Sequence, residues 1–192
     1  MYEGYQHTHL MLRKKVFSFL GQKFHIYGPN DQVLFFVKQK AFKLKEDIRV
    51  FTGEDMLFEL LCIKARGVID IGMTYDVLDS TTGENLGSLR RKGLKSILRD
   101  EWHILDAHGQ QIGTIIEDSM GMALVRRLLS NLVPQTFNVD IQGQKVMEIH
   151  QRFNPFVAKI DLNFSFDKQS WLDRRIGVAA AVLMSAIEGR QG

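Results

Sequence analysis

The residues best suited to chemistry in this chain are cations. Arg90, Arg91, Lys92, Lys95 and Arg99 fall within ten residues, and Lys38, Lys40, Lys43 and Lys45 form a second group. Alternate residues of a strand share a face, so Arg90 and Lys92 point one way and Arg91 the other. Near an anionic membrane each such cation is attracted by about 1 kcal/mol. The two groups together therefore suit a phospholipid or phosphoinositide headgroup, or an acidic protein partner. The competing reading is a solvated rim that keeps sheet edges soluble. No recognition helix or nucleic-acid motif accompanies them, so nucleic acid is not an expected partner.

Oxygen donors recur at Asp161, Asn163, Ser165 and Asp167. Their alternation could present a calcium site, but an EF-hand loop needs Gly at its sixth position and Glu at its last. Phe166 and Leu172 stand there instead. Strand alternation accounts for the same spacing, with Ile160, Leu162, Phe164 and Phe166 inward and the oxygens outward. His7 and His9 could face one way on a strand, with no third ligand near them. His25, His103, His108 and His150 are scattered, as surface or core histidines would be.

Nucleophile elbows, phosphate loops and dinucleotide fingerprints are missing from the sequence. The single cysteine, Cys62, lies in the apolar run 57–63, where a buried inert thiol is expected. One cysteine also excludes an internal disulfide and a thiolate metal centre. No catalytic residue, cofactor or small-molecule substrate is indicated, and a non-enzymatic role is expected.

The elements that must position these cations are mostly strands. The chain has 192 residues, 45% hydrophobic and 24% charged, with three prolines and a net charge of +3. That composition suits one soluble globular domain and excludes disordered, collagen-like and multi-span membrane chains. The dominant period is two. Strands are expected at 16–20, 23–27, 33–40, 48–52, 57–63, 69–79, 85–91, 101–106, 112–117, 137–141, 146–151 and 157–166, about twelve in all. The turns between them carry Gly, Pro, Asn and Asp, with a tight hairpin at Gly21-Gln22. Trp102 falls in one strand, and Trp171 opens the last helix. Both suit core or rim.

Two segments break the pattern. Residues 119–132 place Met122, Val125, Leu128, Leu129 and Leu132 on one helical face. Glu117 and Asp118 precede that expected helix, where carboxylates favour its N-terminal dipole. Residues 176–187, IGVAAAVLMSAI, are apolar all round. Twelve helical residues rise only about 18 Å, against about 30 Å for a bilayer core. A helix buried in protein is the better reading, opened by an S-x-x-D box from Ser170 to Asp173. A barrel of about twelve strands has an interior close to the ~10–12 Å diameter of one helix, and the Ala179-Ala180-Ala181 run keeps this helix slim. The fold expected is all-β with α: a closed barrel around a buried hydrophobic C-terminal helix. It forms a single domain over 1–192 with an ordered core of about 10–188.

Three stretches, 33–51, 87–119 and 173–187, resemble the tubby C-terminal-like superfamily, which includes scramblases and LURP-one-related proteins. The likeness is strongest to LURP-one-related chains and spans roughly residues 10–188. It implies the same helix-cored barrel. It also implies three functional alternatives: an anionic-lipid binding module, a scramblase-like membrane effector whose last helix leaves the barrel, or a signalling or structural protein with only protein partners. Scramblases carry their calcium segment near the position of Asp161, Asn163 and Asp167. The proline-rich start and cysteine cluster of scramblases are missing here. The first fifteen residues are polar, without a secretory pattern, so a cytoplasmic protein, peripheral at membranes, is expected.

Overall fold

Alternating apolar and polar side chains close a sheet on itself in this chain. A computed structural model describes residues 1–15, 22–39, 47–67, 72–92, 101–118, 134–152, 154 and 157–188. Twelve strands are present: β1 His9–Lys15, β2 Gln22–Tyr27, β3 Val33–Gln39, β4 Asp47–Phe51, β5 Glu59–Ala65, β6 Thr74–Asp79, β7 Asn85–Arg91, β8 Glu101–Leu105, β9 Gln111–Glu117, β10 Thr136–Ile141, β11 Gln144–Arg152 and β12 Val157–Asn163. Each pairs antiparallel with its sequence neighbours, and β1 pairs with β12 to close the barrel. Closure leaves no edge strand to pair with another chain.

The helix α1, Arg174–Glu188, fills the interior. Val178, Ala179, Ala181, Val182, Leu183 and Ala186 are completely buried. Around them lie the inward residues of the wall, among them Leu12, Phe24, Ile48, Leu61, Val77, Ile115 and Leu162. The wall positions facing the helix are mostly apolar, so its side chains meet mainly hydrocarbon, with buried polar Lys14 and Asp79 reaching its two ends. Ser185, the one polar residue between Ile176 and Ile187, satisfies its hydroxyl by donating to the Ala181 carbonyl at 2.6 Å.

Both ends of the helix are tied down. At its start, the Arg175 guanidinium donates to Asp79 and Asp173 at 2.7 Å and to Glu84 at 3.1 Å, linking the helix to β6 and the β6–β7 hairpin. Burial alone would raise the Asp79 carboxyl, but hydrogen bonds from Thr81 and Arg175 outweigh it and hold it below the ordinary range. Beside this end Tyr2 packs edge-on against Tyr5 and Phe35, and Tyr5 lies tilted against Phe35. At the other end, the Lys14 ammonium donates to the Ser185 carbonyl at 2.8 Å.

Several expectations are corrected. The box from Ser170 to Asp173 does not form. Asp173 is itself the cap, its carboxylate accepting the Arg175 amide at 2.8 Å, while Ser170 sits at φ 55 in the turn before it. A strand runs over His9–Lys15, where none was expected, because inward Lys14 interrupts the apolar alternation of Leu10 and Leu12. β5 starts at Glu59, leaving Leu57 and Phe58 exposed in the preceding turn. β12 ends at Asn163, so Phe166 is not inward. It is 41% exposed, with the Lys145 ammonium 4.4 Å above its ring. The strand expected at 16–20, the turn at Gly21 and the amphipathic helix at 119–132 lie outside the described residues.

Candidate functional site

Up-and-down antiparallel order sends every connection that follows an odd-numbered strand out of one end of the barrel. The segments 16–21, 40–46, 66–73, 92–100, 118–135 and 153–156 carry nine Lys and Arg against four Asp and Glu. The opposite end gathers residues 1–8, the five connections after even-numbered strands and residues 164–173. In those segments Lys168 stands against eight Asp and Glu, and Arg174 and Arg175 of the helix start lie at the same end. Of the cations in the first set of segments only Arg66 and Lys92 lie among the described residues, and both are ion-paired, with Asp76 and Glu101. The helix N-terminus lies at the end that holds Asp79, Glu84 and Asp173. At its other end the Lys14 ammonium meets the Ser185 carbonyl, the favourable sign of charge for a helix C-terminus.

The first basic group is divided by the pleat. Arg90 is exposed on the outer wall, opposite Thr74 and His103. Arg91 faces the interior side, its guanidinium 5.9 Å from the Trp102 ring centre. Lys92 is exposed but grips both oxygens of Glu101, at 2.8 and 3.0 Å. That contact from Lys92 is the main reason the Glu101 carboxyl sits below its ordinary range. Lys95 and Arg99 lie outside the described residues.

In the second group, Lys38 is exposed on β3, and Lys40, Lys43 and Lys45 lie outside the described residues. β3 and β7 are four strand spacings apart, about 19 Å around the wall. Lys38 and Arg90 therefore do not share one pocket. They belong to one rim, at the end toward which β3 and β7 run.

Register reveals cations that periodicity could not place. On the outer wall Arg152 lies opposite Lys159, Lys159 opposite Arg13, Lys23 opposite Lys38, and Lys38 opposite Arg49. Like charges directly opposite each other destabilise a sheet. Three of these cations are compensated. Arg152 clasps Asp161, Arg13 donates to Asp31 at 2.9 Å and stacks 4.4 Å from the Tyr27 ring centre, and Arg49 binds Asp47 and Glu59 at 2.6 and 2.7 Å. Lys23, Lys38 and Lys159 have no acidic partner among the described residues. The signal for this row was present only as scattered single lysines in three strands.

The calcium candidates are dispersed onto separate tasks. Asp161 is held by Arg152, the Asn163 side chain accepts the Ser165 amide at 2.9 Å, and Asp167 accepts the amides of Trp171 and Leu172 at 2.9 and 3.0 Å. Among the described residues no cluster of three His, Cys, Asp or Glu could hold a metal. His9 bonds to the Thr8 hydroxyl at 3.1 Å. Cys62 is buried, and that burial pushes its thiol up, away from the reactive thiolate.

A twelve-stranded barrel closed around its own C-terminal helix defines the class: a helix-cored β-barrel binding module. The chain matches the LURP-one-related family over residues 8–185 and belongs to that family. No curated protein matches it.

Proposed function

We propose that this barrel is a non-enzymatic module that binds anionic phospholipid surfaces, phosphoinositide headgroups included, through its basic end. The observation that carries the reading is the exposure of Lys23, Lys38 and Arg90 at one rim of the barrel. Clustered cations draw a protein toward a negative surface before contact. Each lysine or arginine brought near the headgroups then adds about 1 kcal/mol. Arg90 and Lys38, exposed on the basic rim, are first to meet such a surface, with Lys92 and Arg91 beside them. Among the described residues no helix is long and apolar enough to cross a membrane, so the association would be peripheral, at the cytoplasmic leaflet.

Vesicle co-sedimentation tests this. Vesicles with phosphatidylserine or a phosphoinositide should retain the protein at low salt and release much of it at physiological salt, and neutral vesicles should not bind it. A calcium requirement would favour a scramblase-like effector. Failure to bind any vesicle would overturn the lipid reading and leave an acidic protein as the partner to seek.

A further inference from the structure

The strongest unexplained feature outside the rim is the cationic row on the outer wall of β12, β1, β2, β3 and β4. Resting on the lipid reading above, we infer that the Lys23–Lys38 pair is the headgroup-recognition point, and that it takes a compact ligand bearing two or more phosphates. Lys23 and Lys38 are direct cross-strand partners and both are exposed. Their Cβ atoms are therefore about 5 Å apart. Two ammonium groups so close repel each other, and neither has an acidic partner among the described residues, unlike their neighbours. Arg13 and Arg49 border the pair with their charges already engaged by Asp31, Asp47 and Glu59. Those two guanidiniums stiffen the edges of the patch, and the two lysines keep their hydrogen-bond donors for a ligand.

A phosphate dianion between the ammonium groups converts their repulsion into two charge-assisted hydrogen bonds. A second phosphate on the same small ring reaches toward Lys159, which lies on the far side of Arg13. The same chemistry is offered by a lipid headgroup and by a free inositol phosphate. A neutral or singly charged headgroup would gain little, because it leaves one lysine uncompensated.

The test uses the full chain and the double variant Lys23→Gln/Lys38→Gln, with Lys168→Gln, exposed at the opposite end of the barrel, as the control variant. Inositol hexakisphosphate is titrated as the soluble probe, and phosphoinositide vesicles as the membrane probe. The double variant is expected to stay folded with a Tm equal to or above the parent, since a repulsion has been removed. It should lose affinity for both probes by roughly 30-fold, and Lys168→Gln should keep its affinity for both. Equal soluble-probe binding by parent and double variant would overturn the inference. So would vesicle binding by the parent with no binding of the soluble probe, and that result would leave the lipid reading standing. Binding of neither probe removes both. Tighter binding of a single-stranded oligonucleotide than of inositol hexakisphosphate would also overturn it.

Discussion

The Lys14 ammonium lies inside the barrel, 6% exposed, and donates to the Ser185 carbonyl 171 residues away. Ser185 begins the last turn of α1, whose carbonyls have no partner within the helix. A cation from the first strand thus satisfies the end of the last helix and meets the negative pole of its dipole. The same ammonium sits 5.2 Å from the Phe24 ring centre.

Replacing Lys14 removes that donor and leaves a buried carbonyl unsatisfied. Lys14→Met keeps the hydrocarbon stem and should destabilise the barrel by about 1–3 kcal/mol. Urea denaturation at neutral pH measures it. A variant as stable as the parent would mean that Ser185 finds another donor.

Gly177 lies in the first turns of α1, where the helix passes Phe164 and Met147. A methyl group there would stand 2.5 Å from Phe164 Cε1 and 3.1 Å from Met147 Sδ. In an exposed helix Gly→Ala stabilises by about 1 kcal/mol. Here overpacking should dominate, and Gly177→Ala should cost about 1–3 kcal/mol. The sign of the change in thermal midpoint decides between the two effects.

Asp79 links stability to pH. Its carboxyl is held below the ordinary range, so the stabilisation it provides is fully present above its unfolded value near pH 4. It is lost as pH falls through the depressed folded value. Asp79→Asn should cost about 1–3 kcal/mol at pH 7, and progressively less as pH falls through the depressed folded value, where the parent carboxyl is protonated too. Denaturation curves of the two proteins should therefore converge in acid.

The helix should stay in the barrel on a membrane. Ile176, Val178, Val182, Leu183, Met184 and Ile187 are all buried. Exposing six such side chains would cost roughly 10 kcal/mol, before the Arg175 ion pairs and the Lys14 contact are counted. Amides of 176–187 are expected to remain protected from hydrogen exchange with and without anionic vesicles. Loss of protection on vesicles would favour insertion of the helix.

Local periodicity carried most of the fold. Alternation marked the strands, because a half-buried strand must place apolar residues two apart. The uncharged stretch at 176–187 marked a buried helix, because only protein could surround so short an apolar cylinder. Both signals fail where a side chain's environment is set from far along the chain. Lys14 reads as solvent-facing until α1 supplies a carbonyl for it, and so β1 was not legible. Phe166 reads as core until the end of β12 at Asn163 turns it outward.

The candidate site divides the same way. The sequence by itself determined that Arg90, Arg91 and Lys38 are cations in strands, with Lys92 just beyond the end of one, and that Arg91 faces opposite to Arg90. Tertiary structure alone decided that Lys92 is engaged by Glu101, that β3 and β7 stand four spacings apart, and that Lys23 is aligned with Lys38. A strand's pattern shows which face a residue takes. It contains nothing about which residue of the next strand lies opposite, because register depends on turns, bulges and closure of the whole barrel. Charge neighbours on a sheet are therefore a property of the folded chain.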